Sequence, residues 1–138
     1  MTIPARYNHT QQMHVLRANV AYNTPGIAGG IQIGTVPRGA RLRGLHVYVD
    51  TAFNAATTNV LAAGTAATGT QLADGTATAA GTTGYKTVTT GNALTFASDT
   101  PIYVSYAQTG TAATAGAATF ILEFFPDMDV NGTYTPAG

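Results

Sequence analysis

The residues best placed for chemistry lie near the C-terminus. DMDVNG, Asp127 to Gly132, copies the opening of a calcium loop, D-x-D-x-N-G. There, alternate carboxylate oxygens wrap a hard cation and the glycine permits a sharp turn. The match then stops. The twelfth position is Gly138 instead of a bidentate glutamate, and a strand-like segment precedes the motif where a helix should. A polar turn in a C-terminal arm is the better reading. His9, His14 and His46 share no i, i+2 or i+4 spacing on one element, so surface or partly packed imidazoles are expected in place of a metal site. Asp50, Asp99 and Glu123 would form the acid pair of a glycosidase only if folding brought two of them together. No G-x-S-x-G is present, and GIAGGIQIG lacks the Lys and Ser/Thr of a phosphate loop. Asn8-His9-Thr10 and Asn131-Gly132-Thr133 match glycosylation sequons, which carry little meaning without a secretory signal. No catalytic residue, cofactor site or metal site is expected.

One charged cluster stands out. PRGARLR places Arg38, Arg41 and Arg43 together, half of the six Lys and Arg residues. Guanidinium groups make forked bonds to carboxylates and phosphates. Without interleaved aromatics or a basic surplus, the cluster is weak evidence for nucleic acid. An acidic protein partner fits better, and solvated charge at a strand edge better still.

The elements that must position these residues are strands. In MHVLRANVAY, Leu16, Ala18, Val20 and Tyr22 alternate with Arg17 and Asn19, the pattern of a half-buried strand. GGIQIGTV sets Ile31 and Ile33 around Gln32. In LRGLHVYVDTAF, Leu45, Val47 and Val49 face one way and His46, Tyr48 and Asp50 the other. Leu42 and Leu45 have opposite parity, so a bulge at Gly44 is expected to turn both inward. NVLAAG, near residues 60–64, is a weaker strand, with a helical turn as the alternative. YKTVTT and ALTFAS are expected as strands joined by Thr90-Gly91-Asn92, and PIYVSYAQTG as another. AATFILEFF carries Phe120, Leu122 and Phe124 on one face, and Ile121 and Phe125 flank Glu123 on the other. A strand apolar on both faces is central, doubly covered or at an interface.

Residues 64–84 read GTAATGTQLADGTATAAGTTG, with only Gln71, Leu72 and Asp74 outside Ala, Thr and Gly. Asp74-Gly75 is a good hairpin turn, so the stretch reads as one short strand pair plus loops, with a floppy loop as the alternative. About eight to ten short strands and no confident helix argue for an all-β, jelly-roll-like antiparallel sandwich over residues 13–126. Residues 1–12 and 127–138 are expected as extended arms.

Composition narrows the function. The chain is neutral and only 9% charged, with 45% hydrophobic residues, so it is expected to fold. It has little charge to steer it toward nucleic acid or an anionic membrane. It has no cysteine, which excludes disulfides and thiolate metal sites. It shows neither an apolar signal core nor an apolar run long enough to cross a bilayer, so it reads as a soluble product of a cytoplasm. Val, Ile, Leu, Met and Phe total 30 residues against 25 Ala and 25 Thr. Contacts with partners or other copies are expected to supply part of the burial.

VYVDTAFNAATTNVLAAGT at 47–65 and TPIYVSYAQTGTAATAGAATFILEFF at 100–125 resemble small β-rich structural proteins of tailed bacteriophages, above all capsid decoration, or cement, proteins. AFNAATTNVLAAGT and TGTAATAG carry the likeness, which spans about a third of the chain. It implies a non-enzymatic jelly-roll sandwich, dimeric or trimeric, on the outer surface of the virion head. Its partners would be the major capsid protein and its own copies, with no nucleic acid and no membrane. On this reading Ile121 and Phe125, with Tyr103, are the expected contact between protomers, and Arg38, Arg41 and Arg43 the expected capsid contact. The competing expectation is a tail or fibre module that binds host carbohydrate through Tyr7, Tyr48, Tyr85 or Tyr103 beside Asp, Asn or Arg. The absence of Trp weakens it.

Overall fold

Alternation becomes strands almost wherever it occurs. The computed structural model describes residues 13–88 and 96–126. The strands are β1 (His14–Ala21), β2 (Ile31–Val36), β3 (Arg41–Thr51), β4 (Thr58–Gly64), β5 (Gly84–Val88), β6 (Thr100–Thr109) and β7 (Ala117–Phe125). A 3-10 turn, Ile27–Gly29, precedes β2, and a four-residue helix α1, Gly75–Thr78, precedes β5. One sheet has the order β1-β7-β3-β5 and the other β2-β6-β4. Every pairing is antiparallel, and successive strands alternate between the sheets. This is jelly-roll connectivity with one strand reduced. Where an eighth strand would lie beside β4, a single bridge joins Ala63 to Ala73.

The core lies between the sheets. On β7, Phe120, Leu122 and Phe124 are buried. Leu122 sits between Leu16 of β1 and Leu45 of β3, and Phe120 between Ala18 and Val47. From the other sheet Leu61, Ile102 and Val104 complete the layer. The expected bulge is present. The β3–β7 register shifts between Leu42 and Gly44, and both Leu42 and Leu45 are buried. β7, apolar on both faces, is an inner strand of its sheet.

The Ala/Thr/Gly stretch departs from expectation. It is neither a strand pair nor a floppy loop. Asp74 does not turn a hairpin; its carboxylate caps α1 by accepting the Ala77 N–H at 2.9 Å. Asp favours both N-caps and turns, and packing here selects the cap. The Thr78 hydroxyl donates to the Leu61 carbonyl at 3.0 Å, and Leu72, Ala73, Thr78 and Ala80 are buried. The first half of the expected strand ALTFAS, residues 93–95, falls outside the described residues, as does its Thr90-Gly91-Asn92 turn, and residues 96–98 form no strand. Phe96 is described and buried, outside any strand.

The two segments that carry the phage resemblance meet in space. The Asn54 side-chain carbonyl accepts the N–H groups of Thr114 and Ala115 at 2.9 and 3.0 Å. Phe53 packs its ring on Tyr106, centroids 4.5 Å apart. The Tyr106 hydroxyl donates to Asn59 at 2.6 Å. Burial pushes its phenol above the ordinary value, so the proton for that bond is retained.

Gly30 is the tightest point of the fold. Its φ is +87°, and a Cβ there would lie 1.5 Å from the carbonyl oxygen of Ala67. Backbone cannot retreat as a side-chain tip can. Gly30→Ala should lower stability by about 2 kcal/mol or more, read as a lower urea midpoint. An unchanged midpoint would contradict the packing of residues 65–70 on the 3-10 turn.

Candidate functional site

The period of two that buries Phe120, Leu122 and Phe124 sends Thr119, Ile121, Glu123 and Phe125 to the outer face of the β1-β7-β3-β5 sheet. β1 adds Val15, Arg17 and Asn19, β3 adds Arg41, His46 and Tyr48, and β5 adds Tyr85, all by register. Five large hydrophobic side chains among the described residues are exposed: Met13, Val15, Tyr48, Tyr85 and Phe125, at 40–57%. Strand parity puts Val15, Tyr48, Tyr85 and Phe125 on this face, and Met13 immediately precedes β1 beside them. An exposed apolar surface concentrated on one side marks a contact surface more than scattered residues do.

Two bulges on β3 shape the face. One places Arg43 as an extra residue between Leu42 and Gly44; the other does the same for Asp50 between Val49 and Thr51. Bulges re-aim side chains, and both of these side chains find partners on β7. Arg43 Nη1 lies 3.1 Å from Glu123 Oε2. The Thr119 hydroxyl donates to Asp50 Oδ2 at 3.0 Å and accepts from the Asn19 amide at 2.8 Å. A second polar chain crosses the sheet from β5. The Tyr85 hydroxyl meets His46 Nδ1 at 2.5 Å, and His46 Nε2 lies 3.3 Å from Glu123 Oε2. The Tyr85 and His46 rings stack with centroids 5.5 Å apart.

The face has two ends. Met13, Val15, Phe125, Arg41 and Arg43 lie at one. At the other, Arg17, His46, Tyr48, Asp50, Tyr85, Thr119 and Ile121 line a depression of about 200 Å³. The Arg17 guanidinium makes no hydrogen bond or ion pair among the described residues.

Ile121 and Phe125 therefore share this face, joined by Arg41 and Arg43. Arg38 lies in the exposed turn leading into Arg41, where its backbone N–H donates to Asp99 Oδ1 at 2.9 Å. Tyr103 is not brought to them; it is on β6, in the opposite sheet. The carboxylates do not converge either. Asp50 is bonded to Thr119, and Glu123 is four residues further along β7, about 13 Å at strand rise. A glycosidase pair stands within about 9.5 Å. Asp99 lies at the turn, apart from both. Among the described residues no group of three His, Cys, Asp or Glu could hold a metal ion. DMDVNG, His9 and Tyr7 lie outside the described residues. Sequence reasoning missed the pairing of Tyr48 with Tyr85 across β3 and β5, and the Arg17 guanidinium, unpartnered among the described residues, in the same depression.

No protein-family model matches the chain, and no curated protein does. Solved structures share its fold. Over 91% of its length it matches 91% of a chain in the capsid asymmetric unit of cyanophage Pam1, with a TM-score of 0.68 and 22% identity. Over 82% it matches 86% of a chain in the acidic stable capsid structure of Helicobacter pylori bacteriophage KHP30, with a TM-score of 0.57 and 14% identity. What is shared at these identities is the fold, a small jelly-roll sandwich. The structures that share it are phage capsid structures, where the resemblance of residues 47–65 and 100–125 pointed.

The Tyr85–His46–Glu123 chain fixes a tautomer. A neutral imidazole satisfies both contacts when Nε2–H donates to Glu123 and Nδ1 accepts the Tyr85 proton. Nitrogen-15 NMR in alkaline buffer should show His46 protonated at Nε2. Tyr85→Phe should shift the ring toward a tautomer mixture. An Nδ1–H ring in the parent protein would contradict this geometry.

Proposed function

We propose that the chain is a decoration protein of a phage head, which binds the outer capsid surface and staples neighbouring major capsid subunits. The observation that carries this reading is the fold shared with chains of two phage capsid structures over more than four-fifths of each chain. The outer face of the β1-β7-β3-β5 sheet supports it. A protein that is 9% charged places Arg17, Arg41, Arg43, Asp50 and Glu123 there beside its exposed hydrophobic side chains.

The protein acts by shape and contact, with no chemical step. Arg41 and Arg43, extended by Arg38 in the turn, offer forked donors to acidic groups of a capsid subunit. Ile121 and Phe125 bury their apolar surface against a second copy, giving a dimer or trimer. The segments 1–12 and 127–138 join the body side by side, because His14 pairs with Phe124 at that end of the sheet. Each can span about 40 Å when extended. Once one subunit is held, the next contact is intramolecular and benefits from a high effective concentration. Because the protein prefers the assembled shell, it stabilises that shell by mass action, about 2.7 kcal/mol per site at a hundredfold excess over Kd.

Heat-release assays on particles with and without the protein test the staple. Particles carrying it should release DNA at a higher temperature, and Arg41→Glu with Arg43→Glu should lower capsid occupancy about tenfold or more. Equal heat resistance with and without it would overturn the reading. Light scattering tests the protomer contact. Replacing Ile121 and Phe125 by Ser should reduce the oligomer mass; an unchanged mass with the fold retained would reject that assignment.

A further inference from the structure

We propose that the depression at the Tyr48–Tyr85 end of the outer face is a binding site for one neutral sugar residue at the end of a glycan. This goes beyond the capsid reading and rests on the end of the face away from Phe125, Arg41 and Arg43; Ile121, which the protomer contact also uses, borders the depression.

The lining has the groups that such a ligand needs. Tyr48 and Tyr85 are direct cross-strand partners and both are about half exposed. An exposed aromatic ring in water is a platform for the apolar C–H face of a pyranose. Tyr85 is held in place by its stack on His46 and its bond to His46 Nδ1. A ring that does not have to be ordered loses little entropy on binding.

The polar groups are fixed as well. Asp50 is re-aimed by its bulge, and Oδ2 is anchored by the Thr119 hydroxyl, itself held by Asn19. Asp50 Oδ1 has no partner among the described residues, so it is available to accept from a hydroxyl. Across the depression the Arg17 guanidinium is unpartnered among the described residues and can donate in a planar fork. An acceptor and a forked donor in one depression suit the hydroxyls of a sugar, which both donate and accept.

Charge and size select the class. One Asp and one Arg leave the lining neutral while His46 is neutral. A carboxylated sugar paired with Arg17 would still share the depression with the Asp50 carboxylate, and an ammonium ligand paired with Asp50 would share it with Arg17. A flat apolar protein surface would desolvate both charges without pairing either. The volume of about 200 Å³ falls below the range of drug-sized pockets, which fits one ring and excludes an enclosed oligosaccharide.

The test uses the full chain, an array of glycans with neutral hexose, N-acetylhexosamine, sialic acid or uronate ends, and NMR titration with the matching methyl glycosides. The proposal expects millimolar binding of a neutral glycoside, with amide shifts centred on Tyr48, Asp50 and Tyr85. Tyr48→Ala and Asp50→Asn should each weaken it about tenfold. Their thermal midpoints should stay close to that of the parent, because both side chains are exposed. Three outcomes would overturn the proposal. One is no neutral glycoside bound at tens of millimolar. Another is a preference for acidic ends. The third is undiminished binding in both variants. If sugar binding is absent and the same variants instead lose capsid attachment, the depression is a protein contact. Failure of the staple assay alone would leave this site standing.

Discussion

Everything on the outer face depends on the register of β7. Phe120, Leu122 and Phe124 are buried between the sheets, and each large apolar side chain so buried contributes about 1.5–3 kcal/mol. A slip of one residue would expose that row and bury Glu123 in its place. Register is therefore set by the core, while its consequence is read on the opposite side. Thr119, Ile121, Glu123 and Phe125 occupy fixed points of a grid, and β1 and β3 are locked to the same grid by pairing with β7. The candidate site is the reverse side of the core.

Bulges supply what a regular grid cannot. A regular β3 could not bury both Leu42 and Leu45, which have opposite parity. The extra residue at Arg43 lets both leucines turn inward and leaves a guanidinium outward against Glu123. The extra residue at Asp50 works in the same way, and its carboxylate reaches Thr119 on the neighbouring strand. The two charged groups that β3 anchors to β7 are both its irregular residues. Sheet irregularity and surface chemistry are one feature here.

Much of this was legible in sequence because alternation is local. The inward row of β3, the bulge at Gly44 and the two-faced apolar character of β7 all follow from parity within a single segment. What was not legible depends on pairing between distant segments. Tyr48 and Tyr85 lie opposite each other only because β5 adds to β3. Tyr103 has the same parity signal as an outward residue of β7, yet its strand belongs to the other sheet. Asp74-Gly75 failed for another reason. The same dipeptide serves as a hairpin turn or a helix start, and the choice was made by contacts at Leu61 and Val60 that residues 64–84 do not contain. The likeness to phage structural proteins was visible as a resemblance, which the fold shared with chains of phage capsid structures supports at the level of architecture.

A chain this poor in charge has few ways to distinguish one surface from another. Its inner faces are apolar and rich in alanine, and the α1 side is built from hydroxyls and small side chains. The Arg43–Glu123 and His46–Glu123 pairs instead lie on one sheet face, with Arg17, Arg41 and Asp50 around them toward its two ends. At the Arg41 and Phe125 end, charge adjoins the points where both terminal segments join the body, which suits contacts made over a wide area with another protein. At the Tyr48 end, polar groups surround a small concavity and are already oriented by Thr119 and His46. Orientation of small polar groups is secondary in a wide protein contact, where a few large, well-packed anchors carry most of the energy. It matters for a small ligand, whose few hydrogen bonds must all be well placed. The contrast between the two ends is the physical reason for assigning them different occupants.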